Sequence, residues 1–197
     1  VTGNFEIRNK ILTTAWGEFY RAGITSVSMD HIASQVGMSK KTLYKYFDNK
    51  EDLVRDAIQH TLLYVNRKIE NILKNPKADF FVRFRSFCVF LIGIHSGISP
   101  AFIVDLKRLA PNIWEHERER IGVWFREFLD EGIAGGVFQP DVPKDIVVLM
   151  WERLLESLLN ADEQFPLSRK QALNAIARVM MHGIMTEKAR SEKVRTE

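Results

Sequence analysis

Residues Met29–Tyr46 read MDHIASQVGMSKKTLYKY, and the spacing of the apolar positions in this stretch decides the fold. Ile32, Val36, Met38 and Leu43 recur where two short helices bury against each other and against a helix before them. Ala33 is small where the two backbones must approach, and Gly37 stands where the turn needs a positive φ that glycine adopts without strain. Ser28 and Ser39 each precede a helical run and are good N-caps. The pattern predicts a helix-turn-helix whose recognition helix runs from Ser39 through Tyr46.

Working outward, Ile7, Ile11, Ala15 and Phe19, with Leu12 and Trp16 beside them, trace one face of a first helix that Gly23 stops. Asp48-Asn49 breaks the recognition helix, and a fourth helix is expected over about 50–74, ended by Asn75-Pro76. Further helices are expected from Asp79 to about His95, from Ser99-Pro100 to Leu109, and from Pro111 to Ala134, where Gly135-Gly136 ends the run. Two more follow, Lys144 to about Asn160 and Ser168 to about Lys188, and the charged tail from Ala189 is expected to fray. Strand-like alternation is almost absent and nothing repeats internally. The chain therefore reads as all-α with about nine helices: a helix-turn-helix domain over 1–50, a connecting helix, and a helical domain over 51–197.

Hydrophobic residues make up 46% and charged residues 27% of the 197, the balance of a soluble globular chain that can bury a core. No apolar run approaches the ~18 residues of a membrane span; the longest, Phe87–Ile94, reads as a buried helix segment, so no membrane association is expected. Val1–Lys10 is polar and mixed, and no secretory leader is expected there. The lone Cys88 rules out an intrachain disulfide, suits a cytoplasmic location, and reads as a small buried hydrophobe.

The charge is unevenly placed. Residues 1–50 carry seven Lys/Arg against four Asp/Glu, which accounts for the whole net charge of +3. A polyanion is expected to dock on this quarter of the chain. Its recognition helix presents Lys40, Lys41, Thr42, Tyr44, Lys45 and Tyr46: cations for phosphates, a hydroxyl and phenols for phosphate oxygens or base edges. Ser39 at that helix's start and Lys50 at the next are placed to add phosphate contacts, whereas Leu43 and Phe47 read as core.

No nucleophile elbow, phosphate-binding loop or catalytic constellation can be named. His116-Glu117-Arg118-Glu119-Arg120 lacks the second histidine of a zinc-protease motif and reads as a solvated helix face with Glu/Arg pairs. No metal or cofactor is expected. An all-α enzyme stays open only as a class without a site.

The run from Val27 to Leu53, above all GMSKKTLYKYFDNKE over Gly37–Glu51, resembles the N-terminal signature of the TetR family of bacterial regulators. The close match covers Ile7–Leu53, about a quarter of the chain. The resemblance implies a helical homodimer that represses transcription at a palindromic operator on double-stranded DNA and is released by a small-molecule effector. It places Thr42, Tyr44, Tyr46 and Lys50 at DNA-contacting positions, and Lys40, Lys41 and Met29 at such positions with variable side chains. Ser28 joins them at the start of the first helix of the motif. Lys41 departs from the family, where a small residue is common. The later part is divergent in this family, so the resemblance transfers no ligand residue. A pocket lined by a subset of Phe84, Phe87, Cys88, Leu91, His95, Phe102, Trp114, Trp124 and Trp151 is one reading of these side chains; ordinary core packing is the other. A regulator with no small-molecule inducer, or one controlled by a protein partner, shares all the N-terminal features.

The helix after Lys144 is apolar over more than one stripe, so one stripe can pack inward and another against a second copy. With the helix after Ser168, this predicts a dimer interface involving Trp151, Leu155, Leu158, Leu159, Ile176, Met180 and Ile184. Placing both stripes inside one monomer is the alternative.

Overall fold

The computed structural model describes residues 2–159 and 168–194. Ten helices follow one another among them: α1 (Thr2–Ala22), α2 (Met29–Val36), α3 (Lys40–Leu43), α4 (Lys50–Leu73), α5 (Phe80–Gly97), α6 (Pro100–Leu109), α7 (Pro111–Ala134), α8 (Lys144–Leu159), α9 (Arg169–Ile184) and α10 (Glu187–Val194). The protein is all-α, with two compact units.

The first unit comprises residues 1–75 and 97–110, so α6 packs with α1–α4. Its core is built from Ile11, Leu12, Ala15 and Phe19 of α1, Ile32 and Val36 of α2, Leu43 and Phe47, and Leu53, Ala57 and Ile58 of α4. Each short helix starts on a side-chain cap: Ser28 Oγ accepts from His31 N, Ser39 Oγ from Thr42 N, and Asn49 Oδ1 from Asp52 N. Such a cap contributes about 1 kcal/mol, a large share for a helix this short. Gly37 ends α2 at φ 81°, with its own amide and that of Met38 returned to Ser34 and Ala33 carbonyls.

The predicted recognition helix is shorter than the sequence suggests. After Leu43 the chain tightens, with Lys45 N bonded to Thr42 O and Tyr46 N to Leu43 O. This tightening delivers Phe47, 3% exposed, into the core.

Residues 51–75 and 97–110 thus cluster with the N-terminal elements, and the division at residue 50 expected above does not follow the packing. Phe102 is a specific correction. Its ring meets Trp16 edge-on at 5.2 Å and Tyr20 at 6.0 Å, so it is core of the first unit. The joint is close at two glycines. A Cβ on Gly23 (φ +88°) would meet Ala101 Cβ at 2.9 Å, and one on Gly97 would meet the Tyr20 ring at 2.9 Å. Nearby, Asp105 accepts from Thr25 N at 2.7 Å and from Thr25 Oγ1 at 2.6 Å.

The second unit comprises residues 76–96 and 111–197. Its core is aromatic: Phe80, Phe84, Phe87, Phe125, Phe128 and Phe138 contact one another at centroid separations of 5.1–6.4 Å. Helix α5 is long and apolar enough, by length and composition, to cross a membrane, contrary to the expectation that no apolar run approaches that length. One face of it is buried, with Phe84, Phe87, Leu91 and Ile92 in the interior, and Arg83 within it pairs with Glu131.

The last helices also differ from expectation. α9 stops at Ile184 because Phe138 and Met185 form an antiparallel bridge, with Gln139 N bonded to Ile184 O and Thr186 N to Val137 O, both at 2.9 Å. The tail expected to fray then forms α10, whose Ala189 is 4% exposed.

Candidate nucleic-acid interface

The outer face of α2 and α3 carries the charge the sequence assigns to it. Lys40, Lys41, Tyr44 and Lys45 are exposed, and Thr42 and Tyr46 are half-buried. Lys41 and Lys45 have no ion-pair partner among the described residues, so their ammonium groups stay available to phosphates. Lys40 is held instead by Asp30 of α2, with Nζ 2.8 Å from Oδ1 and 3.0 Å from Oδ2. The hydrogen bond that Lys40 donates to that carboxylate, and the carboxylate's charge, raise the Lys40 pKa above its usual value.

Ser28 and Ser39 act as caps, and Ser39 Oγ also shares a hydrogen bond with Thr42 Oγ1 at 2.9 Å. The two hydroxyls therefore fix the start of α3.

Two residues on the expected face point elsewhere. Met29 is 7% exposed and belongs to the core, because it is the first apolar position of α2 and packs inward with Ile32 and Ala33. Lys50 is half-buried and donates to the Thr25 carbonyl at 3.2 Å. Burial lowers its pKa, against the opposing pull of Asp105 and Glu51. Its charge is used within the protein.

Other charged groups brace the motif. Lys10 of α1 donates to the Val36 carbonyl at 3.0 Å, where α2 ends. Arg8 lies over the Phe47 ring at 5.0 Å and pairs with Asp56. Glu18 bonds His31 Nε2 at 2.7 Å and pairs with Arg21, and the His31 bond leads the effects that lower its carboxyl pKa. Sequence reasoning missed Asp30, Lys10 and Asp105, whose partners are 10, 26 and 80 residues away. No local spacing links such pairs.

Of the residues weighed as a pocket lining, Phe84, Phe87 and Trp151 are packed into the aromatic core; Trp151 lies 6.0 Å from Phe125. Leu91 and Trp124 are buried and Trp114 is half-buried. Burial pushes the Cys88 thiol up to about 12. His95 is 9% exposed, and burial lowers its pKa, so the ring is neutral at pH 7. With Nδ1 2.7 Å from the Leu91 carbonyl, the proton sits on Nδ1 and Nε2 is an acceptor.

Of the expected dimer residues, Trp151 and Leu158 are buried in their own unit; Leu158 clusters with Ile92, Ala172 and Leu173. Leu155 and Ile176 lean on that cluster, and Met180 and Ile184 are half-buried. The side chain of Leu159 lies outside the described residues. The apolar stripe that faces solvent on α8 is Ile146, Leu149, Met150 and Leu154.

His116 is not placed as a metal ligand: Nε2 lies 2.7 Å from Arg120 Nη2, and Arg118 pairs with Glu115 at 2.8 Å.

Residues 11–57 match the family model of bacterial regulatory proteins, tetR family. The HTH-type transcriptional repressor KstR2 of Mycolicibacterium smegmatis is 24% identical, covering 71% of this chain and 71% of that protein. The repressor NicS of Pseudomonas putida is 25% identical, over 68% and 67%. Among solved structures, the ketosteroid transcriptional regulator KstR2 of Mycobacterium tuberculosis superposes with a TM-score of 0.66 at 21% identity, covering 91% of this chain and 95% of that one. A TetR regulator from Chloroflexus aurantiacus gives 0.69 at 17% identity, over 92% and 96%. A regulator from Saccharomonospora viridis in complex with choline gives 0.63 at 20%, over 93% and 100%. The named curated relatives are transcriptional repressors, not enzymes. With the helix-turn-helix and its basic outer face in place, residues 11–57 are similar to the DNA-binding segment of bacterial regulatory proteins of the tetR family, and the chain has the fold of the solved TetR-type regulators.

Proposed function

We propose that two copies of this chain bind a palindromic operator, repress transcription there, and are released by a small apolar or amphipathic effector held in the second unit. The observation that carries the DNA reading is the exposed face of α2, α3 and the turn after it, where Lys41 and Lys45, unpaired among the described residues, stand beside Tyr44. Lysines so placed attract phosphates, and phenols and hydroxyls reach base edges or phosphate oxygens. The positions kept for contact are Lys40, Lys41, Thr42, Tyr44, Lys45 and Tyr46.

Dimerisation is supported by the second stripe of α8. Ile146, Leu149, Met150 and Leu154 recur at helical spacing, are 52%, 45%, 48% and 37% exposed, and are an apolar face that a second copy would cover. One short recognition helix reads few bases, and two spaced by about a helical turn read both halves of a palindrome. The effector reading leans on relatives of the same fold, one named for ketosteroids and one solved with choline. In this chain, His95 Nε2 would accept from a hydroxyl or amide of the effector. A ligand that distinguishes the two conformations by ~3 kcal/mol would weaken operator affinity about a hundredfold.

The test is selection of genomic fragments by the purified protein at two salt concentrations. Enrichment of a palindrome, with affinity falling steeply as salt rises, is the expected result. Enrichment of nothing above a salt-sensitive background would overturn the operator reading.

A further inference from the structure

We propose that Asp30 and Lys40 act as one zwitterionic reader of a C·G base pair in each half-site of the operator, an inference that rests on the operator-binding reading above. Lys40 is the first residue of α3, and the N-terminal residues of a recognition helix are the ones that meet base edges in the major groove. Asp30, the second residue of α2, holds its ammonium through both carboxylate oxygens, at 2.8 and 3.0 Å. The two side chains are 58% and 62% exposed, so the pair is presented outward from both helices of the motif.

Holding α2 against α3 does not account for it. An ion pair this exposed adds little to stability, and the two helices already share the buried Ile32, Ala33, Val36 and Leu43. A carboxylate on a surface that meets phosphates is repelled unless it is neutralised and finds a donor. Lys40 neutralises it.

The donor follows from the chemistry of base edges. An ammonium has three N–H groups; one bonds Asp30 Oδ2, with Oδ1 close by as the ion-pair partner, and two remain for adjacent acceptors such as O6 and N7 of guanine. The carboxylate keeps lone pairs free, and cytosine N4–H₂ is the major-groove donor that acidic side chains read. A single C·G pair presents that donor beside those two acceptors, in the complement of the Lys40–Asp30 arrangement. The couplet carries no net charge, so it releases no counterions on binding. It supplies sequence preference, while Lys41 and Lys45 supply affinity.

The experiment compares the full-length protein with D30A, K40A and the D30A/K40A double variant, using selection from random duplex DNA and binding to the selected site across a salt series. Circular dichroism checks that each variant is folded, as substitution at two exposed positions predicts. The wild type is expected to select a palindrome with one fixed C·G pair per half-site. The double variant is expected to keep the palindrome, lose roughly tenfold discrimination at that pair, and leave the salt slope unchanged. D30A alone frees Lys40 for a phosphate, so its slope steepens by about one unit per half-site while discrimination falls. A double variant that keeps every base preference overturns the inference and leaves the operator reading standing. So does one whose slope flattens by about two units, because Lys40 is then a phosphate contact. A wild type that selects no palindrome overturns both readings.

Discussion

Replacing Asp105 by Ala removes the polar tie between α6 and the turn that leads into α2. The carboxylate is 7% exposed and accepts from Thr25 N at 2.7 Å, Thr25 Oγ1 at 2.6 Å and Arg108 Nη2 at 3.1 Å. A hydrogen bond to a charged acceptor contributes about 1.5–3 kcal/mol. Arg108 is 61% exposed, so its share is discounted to the range of a surface pair. Thr25 is itself exposed, and water can replace part of what its amide loses. The expected net cost is about 2–3 kcal/mol at neutral pH, from two bonds at the low end of their range. With a urea slope of about 2 kcal/mol/M, this lowers the unfolding midpoint of the first unit by about 1 M. Hydrogen exchange over residues 20–36 localises the loss.

The effect also depends on pH. Burial opposes ionisation of Asp105, but the Thr25 hydroxyl, the Thr25 amide and Arg108 outweigh it and hold its carboxyl below the usual range. A carboxyl depressed on folding stabilises at pH values above its unfolded pKa and loses that contribution as pH falls through the folded value. The difference between wild type and Asp105→Asn is therefore flat above about pH 5 and shrinks below about pH 4. An Asp105→Ala protein within about 0.5 kcal/mol of wild type, or an Asn difference that ignores pH, would refute the reasoning.

Four further outcomes are expected. Gly132→Ala drives a Cβ into the Phe138 ring and to 2.9 Å from Phe80 Cζ, and the overpacking should cost about 1–3 kcal/mol and lower the melting temperature. Gly93→Ala meets nothing within 4 Å and should raise it slightly through helix propensity. A thiol held at about 12 is almost wholly protonated at pH 8, so Cys88 should resist a disulfide reagent in the native protein and react fully in urea. Leu149→Glu with Met150→Glu places charge on the outer stripe of α8 and should give a monomer by sedimentation at micromolar concentration; an unchanged dimer would remove this stripe from the interface.

The helix-turn-helix was legible because its signals are local. Caps at Ser28 and Ser39, the αL turn at Gly37 and the spacing of Ile32, Val36 and Leu43 all act within a few residues, and each recurs in the structure. The basic face was legible for the same reason: three lysines in six residues of a short helix and its following turn cannot all be buried. Partner choice was not legible. Met29 and Lys41 are both residues that a surface helix tolerates, and only the packing of α2 turned one inward and left the other exposed. Lys40 and Lys50 are equal as sequence, yet one meets Asp30 and the other the Thr25 carbonyl, through contacts 10 and 25 residues apart. α8 has apolar residues for two stripes, and tertiary packing set Val147, Val148, Trp151 and Leu158 inside and Ile146, Leu149 and Met150 outside. Phe102 joined Trp16 instead of the aromatic core of the second unit because α6 is seated at Gly23 and Gly97, where side chains of α6 and α1 leave no room for a Cβ. Periodicity and capping are short-range terms written along the chain. Which surface covers which is settled by long-range packing, where residues distant in sequence compete for the same buried area.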